Sequence, residues 1–143
     1  MTQPKLLSML LEKNPNAYIV GSIGNISKDL SVIPHDHKIL VKGAMGSVMG
    51  IGLGIALNTN RRVIVLIGDG SFLMKMGSIS TILKHNLKNL KVVIINNNCY
   101  QSCGGQETNF ESIRSLLPES IKVYEIYPAA SADQPNFGTR RKY

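Results

Sequence analysis

A strand-like segment that ends in an aspartate between two glycines constrains this chain more than any other feature. Residues 63–70 read VIVLIGDG, so five apolar residues lead directly into Gly68, Asp69 and Gly70. A carboxylate at the end of a core strand is costly unless a positive partner meets it. From the residues alone, that partner is a metal ion, a lysine, or the backbone amides of the following helix.

Continuously apolar segments alternate with helix-like segments along the chain. Strands are predicted at 17–21, 38–43, 62–70, 91–98 and 121–127, and helices at 3–13, 44–60, 71–87 and 111–120. Ser27 is a candidate N-cap for a further helix. Strands that are apolar throughout are typical of a parallel sheet covered on both faces. We therefore predict an α/β fold with three layers, α/β/α, around a mostly parallel sheet.

The length and composition are those of one globular domain. The chain has 143 residues, of which 43% are hydrophobic and 17% charged, with a net charge of +7. This length suits a single core. We expect residues 1–127 to form that domain, and residues 128–143, which are rich in Pro, Ala and Ser and then basic, to form a loose tail.

The charge pattern argues against nucleic-acid and membrane partners. The basic residues are dispersed and aromatic residues are few, so no nucleic-acid surface is predicted. Residues 43–60 carry no charge, but five glycines interrupt them, which favours a buried helix over a membrane span. The two cysteines, Cys99 and Cys103, are too few for a disulfide framework. With no leader-like segment at the N-terminus, this favours a cytoplasmic protein with free thiols.

Polar or glycine-rich segments lie at the ends of three of the predicted strands. They are residues 43–46, 68–70 and 96–98. The carboxyl ends of parallel strands share one edge of a sheet, which is where ligands bind in such folds. One strand–helix–strand unit fits into the 28 positions between Asp69 and Asn97.

The residue types at this edge suit a divalent cation that carries a diphosphate. A carboxylate, an amide oxygen and a backbone carbonyl are ligands that Mg²⁺ takes when phosphate oxygens and water complete its octahedron. Gly70 and Ser71 would then open a helix whose free amides can hold phosphate. Asp69 and Asn97 are therefore candidate Mg²⁺ ligands.

Each of these features also has a purely structural interpretation. Asp69 could simply cap the next helix, and residues 96–98 could be a polar turn. Met45 could be an ordinary core residue, and the glycines at 46, 50 and 54 could serve helix packing. His35 and His37 flank Asp36, but a histidine pair in a loop is more often solvent-facing than metal-binding.

The motifs taken together resemble a known enzyme family. GDG followed at this interval by NN is similar to the diphosphate-binding motif of thiamine diphosphate enzymes. The segments VKGAMGSVMGIGLGIAL, IGDGSFLMKMGSISTI, KNLKVVIINNN and SCGGQET resemble the C-terminal half of phosphonopyruvate decarboxylase and the cofactor-binding subunit of sulfopyruvate decarboxylase. The resemblance covers roughly residues 5–115 and implies the thiamine diphosphate-binding fold, of the diphosphate (PP) domain type.

The resemblance implies a role for particular residues. Asp69 and Asn97 would be side-chain ligands of Mg²⁺, with the backbone carbonyl of Cys99 as a third ligand. Met45 would hold the thiamine in its bent V shape. The remaining implied cofactor-binding residues are Gly24, Asn25, Ile26, Gly43, Ala44, Gly68, Gly70, Ser71 and Tyr100, of which the first three line the aminopyrimidine or substrate side.

The reaction that the resemblance implies is decarboxylation of a 2-oxoacid such as phosphonopyruvate or sulfopyruvate to an aldehyde and CO₂. The family's catalytic glutamate lies in a pyrimidine-binding domain that this sequence does not show. The resemblance therefore implies a separate pyrimidine-binding (alpha) subunit, in a heterotetramer or larger assembly. The alternatives are a carboligase subunit of the acetolactate synthase kind and a non-catalytic, shortened cofactor-binding or regulatory subunit.

Overall fold

Five parallel strands and the helices between them form the molecule, and the computed structural model describes residues 1–126. The strands are β1 (Tyr18–Gly21), β2 (Lys38–Leu40), β3 (Val63–Gly68), β4 (Leu90–Asn96) and β5 (Ile121–Glu125). The helices are α1 (Gln3–Glu12), α2 (Asn25–Val32), α3 (Val48–Leu57), α4 (Asp69–Met74), α5 (Ser78–His85) and α6 (Glu111–Arg114), and a 3₁₀ turn spans Gln101–Cys103.

The sheet order is β2-β1-β3-β4-β5, which puts the GDG strand β3 at the centre. All four strand pairs are parallel. The ends of β1, β3 and β4 therefore lie side by side at one edge. This confirms the predicted three-layer α/β/α fold with a parallel sheet.

Two apolar clusters lie on the two faces of the sheet. On one face, α1 and α2 pack with alternate strand residues such as Ile19, Ile64 and Val93. On the other face, α3 and Phe72 pack with the intervening residues, such as Val65 and Ile94. Because successive side chains of a strand point to opposite faces, the central strands need consecutive apolar residues, which are residues 63–67 in β3 and 92–95 in β4.

The helix boundaries differ from the sequence prediction at three places. The helix predicted over 71–87 is two helices, α4 and α5, since Lys75 leaves helical geometry with φ −138°. The helix predicted from residue 44 begins at Val48, because Gly46 has a φ of +85° in the preceding turn. Ser27 does not cap α2; Gly24 is the capping residue, and the Ser27 hydroxyl donates 2.7 Å to the Ser22 carbonyl.

The glycines at 46, 50 and 54, whose spacing suggested helix packing, do not form one packed face. Gly50 and Gly54 are exposed and face open space, whereas Gly52 is buried and packs against Val65. The predicted tail, residues 128–143, lies outside the described residues, so the domain boundary at 127 stays a prediction.

Candidate functional site

A cleft opens at the edge where β1, β3 and β4 end. Most of its wall comes from the segments that directly follow these three strands. The lining residues are Gln3, Ile23, Gly24, Asn25, Ile26, Met45, Gly68, Asp69, Gly70, Ser71, Ile95, Asn97, Cys99, Tyr100, Gln101 and Ser102. The fold thus brings the GDG segment and the asparagine segment together, as the motif spacing predicts.

Asp69 is the buried charged group of this cleft. It follows β3 directly and is 2% exposed. Its Oδ2 accepts a 2.5 Å hydrogen bond from the Thr108 hydroxyl. Among residues 1–126 no basic side chain forms an ion pair with it. Burial raises the pKa of this carboxyl above its usual range, although the Thr108 hydroxyl and the backbone amides of Asn97 and Gly70 act against the shift.

Asn97 follows β4 on the neighbouring strand, and its side chain is held at both ends. Its Oδ1 accepts a 3.1 Å hydrogen bond from the Cys99 amide, and its Nδ2 donates 3.2 Å to the side-chain oxygen of Gln101. An amide oxygen has two lone pairs, so Oδ1 retains the capacity for one more partner.

Cys99 lines the cleft, and its backbone oxygen is the candidate ligand atom. The Cys99 carbonyl oxygen accepts no hydrogen bond from the described residues. Its thiol is half-buried and free of any disulfide, and burial followed by the charge of Asp69 raises the pKa of that thiol. The predicted third ligand is therefore a backbone oxygen without a partner.

The three oxygens fit the cation that the sequence predicts. An Asp69 carboxylate oxygen, the Asn97 amide oxygen and the Cys99 carbonyl all have unused acceptor capacity, and their residues line one cleft. All three are hard donors of the kind that Mg²⁺ prefers. An uncompensated buried carboxylate is also a group that a bound cation stabilises.

Gly70 brings backbone and ring close together beside these oxygens. A Cβ at this position would lie 2.6 Å from Cε1 of Tyr100. The absence of a side chain at Gly70 is therefore required for Tyr100 to reach the cleft.

The wall of the cleft also contains Met45 and the turn that leads into α2. Gly24, Asn25, Ile26 and half-buried Met45 all line it. Next to Met45, a Cβ at Gly46 would lie 2.6 Å from the Ser71 carbonyl, so this turn packs on the GDG helix. Gly43 and Ala44 are exposed and do not line the cleft. Their cofactor role remains a prediction.

Sequence reasoning did not find every residue of the site. Gln3 reaches the cleft from α1, and Gln101 and Ser102 reach it from the 3₁₀ turn. Thr108 lies behind Asp69 rather than in the wall. Ser102 and Thr108 are the two ends of the quoted segment SCGGQET, but nothing in that segment assigned them a role. Only the folded loop brings Thr108 back to Asp69.

The second cluster considered in the sequence, at His35 and His37, has no metal-site geometry. Across residues 1–126 no group of three or more His, Cys, Asp or Glu side chains is arranged to hold a metal ion. The two histidines are half-buried rather than solvent-facing, because His35 contacts the Asn14 carbonyl at 3.1 Å and His37 contacts Arg61 at 3.1 Å.

The described helices are also informative about membranes. None of the helices within residues 1–126 has the length and apolar character needed to span a bilayer.

Curated relatives share sequence with this chain over most of its length. It is 47% identical over 120 residues to the sulfopyruvate decarboxylase subunit beta of Methanocaldococcus jannaschii, a match covering 75% of this chain and 64% of that protein. It is 42% identical over 101 residues to the phosphonopyruvate decarboxylase of Streptomyces hygroscopicus, covering 70% of this chain and 25% of that protein. The subunit beta of Methanococcus maripaludis is 39% identical over 110 residues, covering 76% of this chain and 60% of that protein. The chain therefore spans less than two thirds of each of these relatives.

A family model matches a larger part of the chain. Residues 23–138 match the family described as thiamine pyrophosphate enzyme, C-terminal TPP binding domain. That range includes the ends of β3 and β4 and almost every residue of the cleft. On this match, the chain belongs to the C-terminal TPP binding domain family of thiamine pyrophosphate enzymes.

Proposed function

We propose that this chain is the diphosphate- and Mg²⁺-binding subunit of a two-chain, thiamine diphosphate-dependent decarboxylase. Its substrate would be a small anionic 2-oxoacid such as phosphonopyruvate or sulfopyruvate, which yields an aldehyde and CO₂. The observation that carries the proposal is the buried Asp69, which has no basic partner among the described residues, beside the Asn97 and Cys99 oxygens, which retain acceptor capacity. The names of the relatives support the reaction.

The role of this chain's own residues is to bind the cation and to orient the cofactor. Asp69, Asn97 and the Cys99 carbonyl hold the cation, and Gly68, Gly70 and Ser71 lie on its diphosphate side. When bound, thiamine diphosphate supplies the electron sink that lets the carboxylate of a 2-oxoacid leave as CO₂.

The other lining residues would shape the bound cofactor. Met45 supports the bent conformation, and Gly24, Asn25 and Ile26 border the aminopyrimidine or substrate side. Gly43, Ala44 and Tyr100 complete the cofactor-binding set.

The proposed partner is a pyrimidine-binding alpha subunit that supplies the catalytic glutamate. Three curated relatives carry the name subunit beta, which supports a two-chain enzyme. The proposed assembly is a heterotetramer or larger, with no nucleic acid or membrane component. The free thiols of Cys99 and Cys103 support a cytoplasmic setting.

The test is the activity of the complex isolated through a tag on this chain. CO₂ and aldehyde release would be measured separately with phosphonopyruvate and sulfopyruvate. We expect release with one of them, loss of release in Asp69→Asn, and unchanged release in the exposed control Asp36→Asn.

Two other results would contradict the proposal in different ways. Acetolactate formation from pyruvate without aldehyde release would identify a carboligase. A complex that holds the cofactor but releases no CO₂ would identify a non-catalytic subunit.

A further inference from the structure

Thr108 is a buried polar side chain that contacts the predicted site without being part of it. It is 6% exposed, and its Oγ1 lies 2.5 Å from Oδ2 of Asp69, a residue 39 positions earlier in the chain. A hydroxyl that donates to an ionised carboxylate forms one of the shorter and stronger hydrogen bonds in proteins.

Thr108 is the side chain that donates to Asp69 among the described residues, and no basic side chain pairs with this carboxylate. The backbone amides of Asn97 and Gly70 also stabilise it. The Thr108 hydroxyl fixes the position of Oδ2. With Oδ2 engaged, Oδ1 is the oxygen that remains for another partner.

A loop of fixed geometry brings Thr108 to this position. The Tyr100 amide donates 2.8 Å to the Gln106 carbonyl, and the Thr108 amide donates 3.2 Å to the Asn98 carbonyl. The segment between residues 98 and 108 thus closes on itself like a hairpin. One loop carries Asn97 and Cys99 at its beginning and the residue that orients Asp69 at its end.

We propose that Thr108 is a positioning residue of the cation site, whose hydroxyl holds the Asp69 carboxylate so that its second oxygen is presented to the metal. The proposal rests on the proposed function of the site. Hydrogen bonds to metal-ligating carboxylates are a recognised determinant of metal affinity, and their loss typically weakens binding about 10–100-fold.

The alternative role for Thr108 is packing, and two substitutions separate it from positioning. A Cβ at Gly70 would lie 3.3 Å from Cγ2 of Thr108, so the methyl group faces the GDG turn. Thr108→Val keeps the shape and removes the hydroxyl, whereas Thr108→Ser keeps the hydroxyl and removes the methyl group. Thr81→Val, on the exposed side of α5, is the matched control.

The probe is Mn²⁺, titrated into the isolated complex with saturating thiamine diphosphate and followed by the electron paramagnetic resonance of the free ion. We expect Thr108→Val to weaken Mn²⁺ binding about tenfold or more. Thr108→Ser and Thr81→Val should bind Mn²⁺ nearly as the unaltered complex does. Affinity for thiamine diphosphate at saturating Mn²⁺ should change little in Thr108→Val.

The contradicting results are distinct. Unchanged Mn²⁺ affinity in Thr108→Val, or equal weakening in Thr108→Ser, would overturn the positioning role while leaving the proposed function intact. No Mn²⁺ binding by the unaltered complex would overturn both. If Thr108→Val does not fold, Thr108→Ser can be compared with Thr108→Cys. These two side chains are similar in size, but only serine carries the hydroxyl. Equal Mn²⁺ affinity of those two variants would overturn the positioning role.

Discussion

Tyr100 lies against Gly70 so closely that a methyl group at position 70 would stand 2.6 Å from the ring carbon Cε1. The contact joins the end of β3 to the loop after β4. It therefore links the segment that carries Asp69 to the segment that carries Asn97 and Cys99.

Gly70→Ala should disturb this contact and weaken cofactor binding. The added methyl group must displace the Tyr100 ring, at a cost of about 1–3 kcal/mol. A loss of that size from binding lowers the affinity for thiamine diphosphate about tenfold or more. Calorimetric titration with thiamine diphosphate at saturating Mg²⁺ measures this affinity. An unchanged affinity would show that the Tyr100 ring moves aside without cost.

Gly50→Ala and Gly52→Ala should change stability in opposite directions. Gly50 faces open space, so alanine there gains helix propensity of about 1 kcal/mol. Gly52 packs against the buried Val65, so the same substitution is expected to destabilise the fold by about 1–3 kcal/mol. Urea unfolding compares the free energies of unfolding of the two variants. Destabilisation by Gly50→Ala would contradict the finding that Gly50 faces open space.

Asp69→Asn should stabilise the cofactor-free protein while it abolishes metal-dependent cofactor binding. Removing a buried charge without a paired cation is expected to increase the free energy of unfolding. Urea unfolding in the presence of a chelator measures the free energy of unfolding. Titration with thiamine diphosphate, with and without Mg²⁺, measures metal-dependent cofactor binding. Asp36 is exposed, so Asp36→Asn should change neither the free energy of unfolding nor cofactor binding.

The stabilisation by Asp69→Asn should depend on pH with a definite sign. Because burial raises the Asp69 pKa, the folded protein binds a proton more readily than the unfolded chain. The unaltered protein therefore loses stability as pH rises from about 4 through the folded-state pKa. The advantage of Asp69→Asn should be largest at neutral pH and vanish toward pH 4, and a constant advantage would contradict the charge-burial argument.

Cys99→Ala and Asn97→Ala should behave differently although the residues are close neighbours. The proposed ligand at Cys99 is its carbonyl, which alanine retains, so cofactor affinity should stay within about threefold. At Asn97 the ligand is the side chain, whose removal should cost about tenfold or more in Mg²⁺ affinity. If Cys99→Ala loses as much affinity as Asn97→Ala, the thiol takes part.

The architecture was predictable because the strands of this fold are apolar on both faces. That pattern requires helices above and below the sheet, and it predicts Asp69 and Asn97 at the same edge. Helix ends were less predictable. The break after Met74 in the segment 71–87 has no proline to mark it, and Gly46 fits a helical spacing although its backbone is left-handed.

The cleft was predictable where chemistry and position coincide, as at Asp69 and Asn97, whereas Cys99 was implied by the family resemblance alone. Thr108 was not predictable, because its contact with Asp69 depends on how the loop between residues 98 and 108 closes. The contribution of Gln3 to the cleft was also not predictable, because Gln3 lies in the first helix, far from the motifs in sequence.

The most direct measurement of the central claim is native mass spectrometry of the complex isolated through a tag on this chain, with bound small molecules identified after denaturation. The proposed function predicts a second chain together with thiamine diphosphate and Mg²⁺, all retained in Asp36→Asn, with the cofactor and cation absent from Asp69→Asn. An unaltered complex that contains neither thiamine diphosphate nor a divalent cation would contradict it.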